Sequence, residues 1–147
     1  MRFKKSLFLI LLIGMITATG MAQSTVEVMV AGHNQIPSVR TPGTGMIEVT
    51  VEGDSLFVSG SFEDLREYYL GAGIHFGGLN EVGNQIYQLS ADLNEDKTGG
   101  VFNVEKNRFG LREAQKEALR NGRLYINILS NRYRSGEIRG QIPPLNI

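Results

Sequence analysis

The stretch Leu124–Ile142 restricts the possible folds more than any other part of the chain. Leu124, Ile126 and Ile128 alternate with Tyr125 and Asn127. After the polar segment Ser130–Gly136, Ile138 and Ile142 stand opposed to Glu137, Arg139 and Gln141. Side chains repeat every second residue in a strand, so each half reads as a strand with one buried face. The polar segment ends in Gly, as a hairpin connection does. Such a hairpin needs further strands to cover its apolar face, which makes it the spine of an antiparallel β domain.

The same period recurs upstream. Val26, Val28 and Val30 outline a first strand over Thr25–Val30, and Gly32–Gly45, with Pro37 and Pro42, is a long loop. Ile47, Val49 and Val51, a turn at Glu52–Ser55, then Leu56, Val58 and Phe62 give the clearest hairpin. Glu63–Tyr69 reads as a connection or a single helical turn. Leu70, Ala72, Ile74 and Phe76 form an inward set alternating with Gly71, Gly73, His75 and Gly77. So many glycines in one strand imply a bulge or a close backbone approach. Ile86–Ala91 is a further strand, and Val101–Val104 begins another. Only Leu111–Asn121 breaks the period of two. Leu111, Ala114, Ala118 and Leu119 form one stripe of a short helix, with Arg112 as a poor cap and Asn121-Gly122 as its stop. The expected architecture is therefore all-β: an antiparallel β-sandwich of Greek-key or immunoglobulin-like type. It has about seven strands and one short helix before the C-terminal hairpin.

The N-terminus gives the compartment. Met1-Arg2-Phe3-Lys4-Lys5, an apolar run from Leu7 to Ile16 and the small residues Gly20 and Ala22 describe a signal peptide over 1–22, cleaved after Ala22. The apolar run is too short for a transmembrane helix, which needs roughly 20 residues. This leaves a domain at 23–147, exported to a periplasm or the medium. The chain has no Cys, which removes disulfides, thiol catalysis and thiolate metal sites.

The chain carries 15 basic and 15 acidic residues; without Arg2, Lys4 and Lys5 the balance is 12 to 15, a net charge of −3. From Gln23 to Gly100 there are 3 basic and 11 acidic residues, and from Val101 onward 9 and 4. A basic end suits an acidic partner; the preferred reading is that the two halves pack together and neutralise each other's field, and a third is that they hold copies of the chain together. Scattered basic residues in an acidic domain do not suit nucleic-acid binding.

In order, the motifs resemble the chordin-type domain family, usually called CHRD, over about Val26 to Ile142. The family's Gly-x-Asn-Glu-Val-Pro-Pro appears as Gly32-His33-Asn34-Gln35-Ile36-Pro37-Ser38, and its Thr-x-x-x-Gly as Thr41–Gly45. Its Ala-His-Ile-His-Gly is similar to Ala72-Gly73-Ile74-His75-Phe76-Gly77-Gly78, and its Leu-Thr-x-x-Gln to Leu111–Gln115. Gly-x-Leu-Tyr-Val-Asn-Val-His corresponds to Gly122–Leu129, and Gly-Glu-Ile-Arg-Gly-Gln matches Gly136–Gln141 without change. The resemblance implies an extracellular protein-contact module. It also implies three histidines able in principle to hold a metal. Here Gly73 and Leu129 take two of those positions and only His75 remains, too few for the three or four ligands a transition metal wants.

The candidate binding residues are His75, Tyr133, Glu137 and Arg139; none is assigned to catalysis, to a metal or to a cofactor. His75 reads as a hydrogen-bonded structural residue rather than a ligand or proton shuttle. Glu137 and Arg139 read either as cross-strand charge partners or as a small polar binding surface. Among the tyrosines, most should pack, with Tyr133 at a loop tip the best exposed platform for a sugar or protein. Asp92-x-Asn94-x-Asp96 has a calcium-loop flavour, but Lys97 and Asn103 stand where Gly and Glu are needed, so a polar turn is expected. The functional expectation is a non-enzymatic extracytoplasmic interaction or structural module with a protein partner. A metal-dependent or redox enzyme using the His75 region is the alternative.

Overall fold

In the computed structural model, residues 23–147 are described; the expected signal peptide lies outside them. Alternating Val28 and Val30 open β1 (Gln23–Ala31), which pairs antiparallel with β2 (Thr44–Glu52). A tight turn at Gly53-Asp54 returns the chain as β3 (Ser55–Glu63), with Val49 opposite Val58 and Val51 opposite Leu56. Both members of each pair are buried, so the hairpin read from the sequence carries its apolar face inward. β4 (Tyr69–Phe76), β5 (Gln85–Leu89), β6 (Ala91–Leu93), β7 (Gly100–Phe102) and β8 (Arg108–Gly110) follow. After α1 (Glu113–Arg120) come β9 (Leu124–Ser130) and β10 (Ile138–Gln141).

The two layers of this all-β sandwich belong to one antiparallel sheet, ordered β5-β4-β9-β10-β1-β2-β3-β7-β6, with β8 also pairing β3. The sheet curls until it is nearly closed. Ten strands replace the expected seven: β8 was not foreseen, and Ile86–Ala91 is not one strand. At Ser90 the chain leaves β5 at one end of the sheet and enters β6 at the other. Asn107, fully buried, holds this corner: its Oδ1 accepts from the Ser90 N–H at 2.8 Å, and its Nδ2 donates to the Ser90 and Asn103 carbonyls at 2.9 Å. Hydrophobic periodicity does not record such a corner, because Ile86 and Leu89 continue the pattern up to it.

The core lies between the layers, with Ile47, Leu56, Ile74, Leu119, Leu124, Ile126, Ile128 and Ile138 at 0% exposure. Leu70 and Phe76, expected inside, are instead 42% and 45% exposed. Pairing with β9 shifts register between Tyr69 and Gly71, and pairing with β5 shifts between Ile74 and His75. The first shift turns Leu70 outward, whereas Phe76, in unbroken register opposite Leu124, is exposed because it ends the strand; Ala72 and Ile74 are the buried apolar side chains of β4. In α1 the buried residues are Ala118 and Leu119, joined by Leu111 just before it, whereas Ala114 faces solvent. The Gln115 carboxamide accepts the Arg112 N–H at 2.8 Å, supplying the cap that Arg112 lacks as a residue type. The helix stops at Asn121-Gly122, with Gly122 at φ +63°.

Three of the four ion pairs among the described residues join the acidic half to the basic half: Asp54–Lys116, Glu81–Arg123 and Asp92–Lys106. Asp92 also accepts from Asn103, and Asp96 caps its own turn through the Thr98 N–H and hydroxyl. The acidic segment is a self-bonded hairpin turn.

Candidate functional site

The face of β4, β9 and β10 turned away from the core carries the polar side chains picked out above. Register sets His75 opposite Tyr125, Asn127 opposite Arg139, and Tyr125 opposite Gln141. Alternation alone makes this face solvent-exposed. Yet Tyr125, Asn127 and Arg139 are only 2%, 5% and 2% exposed. Residues 32–40, following β1, and residues 77–84, following β4, supply the groups that lie over them.

Arg139 is the fastener of the second cover. Its Nη1 donates to the Glu81 carbonyl at 2.8 Å and its Nη2 to the Gly78 carbonyl at 2.9 Å. Its guanidinium carbon stands 3.5 Å from the Tyr125 ring centroid, a cation–π contact. The Tyr125 hydroxyl accepts the Gly83 N–H at 3.0 Å. Gln141 donates to the carbonyls of Gly77, Gly122 and Leu124 at 2.9–3.1 Å. Across the first cover, Gln35 donates to Asn127 at 2.8 Å, and Asn127 donates to the Ser135 carbonyl at 3.1 Å.

Glu137 is 0% exposed. One carboxylate oxygen accepts from the Thr41 hydroxyl at 2.5 Å and from the Arg66 N–H at 2.8 Å, while Oε2 has no partner among the described residues. Glu137 and Arg139 are therefore not cross-strand charge partners, nor an exposed polar surface. Each fastens loops that come from 58 to 96 residues earlier in the chain.

His75 stacks on Tyr125, ring centroids 5.1 Å apart, and its Nδ1 lies 2.9 Å from the Gly83 carbonyl. A carbonyl only accepts, so Nδ1 carries the proton and Nε2 keeps a lone pair, buried without a partner among the described residues. Burial pushes the imidazole pKa below its ordinary value; the nearby Arg139 charge adds to this, and the Gly83 hydrogen bond opposes it. Above about pH 6.5 both folded and unfolded states hold a neutral ring. As pH falls below that, the unfolded chain takes the proton first, so this residue's contribution to stability is lost on acidification. Melting curves taken from about pH 7 to about pH 5 should show the wild type losing stability relative to His75→Gln. A gap between the two proteins that stays constant with pH would count against this environment.

The Gln85 side chain covers Gly73, lying where a Cβ on that residue would sit. Among the described residues no three His, Cys, Asp or Glu side chains converge on a common point. Tyr133 is half-buried rather than the most exposed tyrosine; Tyr68, at 60%, holds that place. Tyr133 instead lines a cleft of about 400 Å³ together with residues 35–40, Val82, Ser135 and Gly136, and with Tyr125, Asn127 and Arg139 at its floor. His75 and Glu137 do not reach this cleft. Asn127, Gln35 and Gln141 were missed as members of the cluster. The available signal was Tyr125, Asn127, Arg139 and Gln141 sharing one face of two adjacent strands.

An antiparallel sandwich that seals its polar face with two of its own loops defines the class of protein. The chain belongs to the CHRD domain family, whose model matches residues 26–142. No curated protein and no solved structure matches the chain significantly. No described helix is long and apolar enough to cross a membrane.

Proposed function

We propose that the chain is an exported CHRD-type module that acts by contact, as an extracytoplasmic binding or structural domain, and carries no catalytic centre. The observation that carries this reading is the make-up of the cleft wall. It holds Ser38, Ser135 and two tyrosines but no His, Asp, Glu, Lys or Cys. A hydroxyl there has no adjacent base to activate it. The groups able to move protons, His75 and Glu137, are committed to the Gly83 carbonyl and to Thr41 and Arg66. The basic, then apolar, then small-residue start of the chain supports export.

Elemental analysis of the protein purified from its native extracytoplasmic fraction, beside a His75→Ala variant, tests the reading. The expected result is a folded protein without stoichiometric transition metal, beginning at Gln23. One equivalent of metal that disappears in the variant would overturn it in favour of a metal-dependent activity at His75.

A further inference from the structure

Four cations, Lys106, Lys116, Arg120 and Arg123, account for all the ion pairs among the described residues. Arg40, Arg66 and Arg132 have no carboxylate within ion-pair distance, yet all three line one hollow beside Tyr133, with Glu67 its single acid. Three guanidinium groups against one carboxylate leave the hollow with a surplus of positive charge, which favours an arriving anion. This hollow adjoins the 400 Å³ cleft, since Arg40 and Tyr133 line both. The cleft's other walls present Ile36 and Val82, 38% and 72% exposed.

The polar floor is already spent. Gln35 and Asn127 bond each other, and Arg139 holds its loop carbonyls. Recognition therefore falls to the rim, which offers positive charge on one side and branched aliphatic surface on the other. Tyr and Arg are the residues most enriched where proteins meet. A sugar polymer has no aliphatic side chain to cover Ile36 and Val82, and a flat bilayer does not follow a concave hollow.

We propose that the cleft and its arginine shelf dock an acidic, extended protein segment. Its apolar side chain lies against Ile36 and Val82, and its carboxylates lie on Arg40, Arg66 and Arg132. The inference rests on the contact-module reading and names the partner chemistry.

Fluorescence anisotropy with the purified chain and a labelled Glu-Glu-Leu-Glu-Leu-Glu-Glu peptide tests it. The expected result is saturable binding that weakens about tenfold or more in the Arg40→Glu, Arg132→Glu double variant. Binding should also weaken with added salt, and a peptide with Lys in place of Glu should not bind. Both substituted arginines are exposed, so an unchanged melting temperature verifies that the variant is folded. Overturning results are peptide binding that ignores the double substitution, equal binding of the Lys peptide, or binding only to dextran sulfate or to phosphatidylglycerol vesicles. A folded, metal-free protein that binds no probe would overturn this inference alone. Stoichiometric metal lost in His75→Ala would instead overturn the reading beneath it.

Discussion

Replacing Arg139 with Ala is expected to destabilise the protein by about 3–4 kcal/mol, read by urea denaturation of the two proteins side by side. The side chain is 2% exposed, and its loss removes the charged donors that hold the carbonyls of Glu81 and Gly78 at 2.8 and 2.9 Å. A hydrogen bond from a charged donor contributes roughly 1.5–3 kcal/mol. The contact with the Tyr125 ring adds about 1–2 kcal/mol when desolvated. Arg139→Lys keeps the charge but loses the planar fork that spans two carbonyls, so it should recover less than half of the loss. A change below about 1 kcal/mol in Arg139→Ala would mean that the loop does not depend on this residue.

The second large effect is expected at the next residue of the same strand, from a single added methyl. Gly140 sits where β10 passes β1, and a Cβ built on it would lie 2.5 Å from the Met29 carbonyl oxygen and 2.6 Å from a Val28 methyl. Carbon and oxygen do not approach that closely, and Met29 presents backbone rather than a side chain that can swing away. Gly140→Ala therefore forces β1 and β10 apart in the middle of the sheet. It should cost about 3 kcal/mol, at the upper end of overpacking effects. Gly71→Ala is the control: nothing lies within 4 Å of its Cβ position, and it should be nearly neutral. Equal effects in the two variants would contradict the close approach.

Together these residues give the segment Gly136–Gln141 a structural explanation. Gly136, at φ +141°, lies against the Asn127 and Gln35 amides, where a side chain would collide. Glu137 fastens Thr41 and Arg66, Ile138 fills the core, Arg139 fastens residues 78–81, Gly140 admits β1, and Gln141 ties three carbonyls.

The apolar half of the fold was legible in the sequence because a strand writes its inward face as a period of two. Ile47, Val49, Val51, Ile126, Ile128 and Ile138 all lie where that period puts them. The polar half was not legible. Nothing in Tyr125-Ile126-Asn127 says that residues 32–40 and 77–84 will fold over its outer side. The partners of Glu137 and Arg139 lie 58 to 96 positions away, a separation to which local periodicity is blind. The same blindness joined Ile86–Ala91 into one strand across Ser90, where Asn107 holds the break from 17 residues downstream. Leu70 was misplaced because a bulge turns it out of the alternation, and Phe76 because it ends the strand, where the same face is open to solvent. Tyr133 was placed at an exposed tip by its polar neighbours, whereas the loop turns it into the wall of the cleft.

The central claim is that the charged and amide side chains of β9 and β10 are consumed in holding down the protein's own loops. Native-state hydrogen exchange on Arg139→Ala tests it most directly, because the Glu81 amide bonds the Gly78 carbonyl within the loop that Arg139 secures, and the Gly83 amide ties that loop to the Tyr125 hydroxyl beneath it. The account predicts faster exchange at those two amides, with the β2–β3 hairpin exchanging as slowly as the lowered global stability allows. Unchanged protection at Glu81 and Gly83 would contradict it.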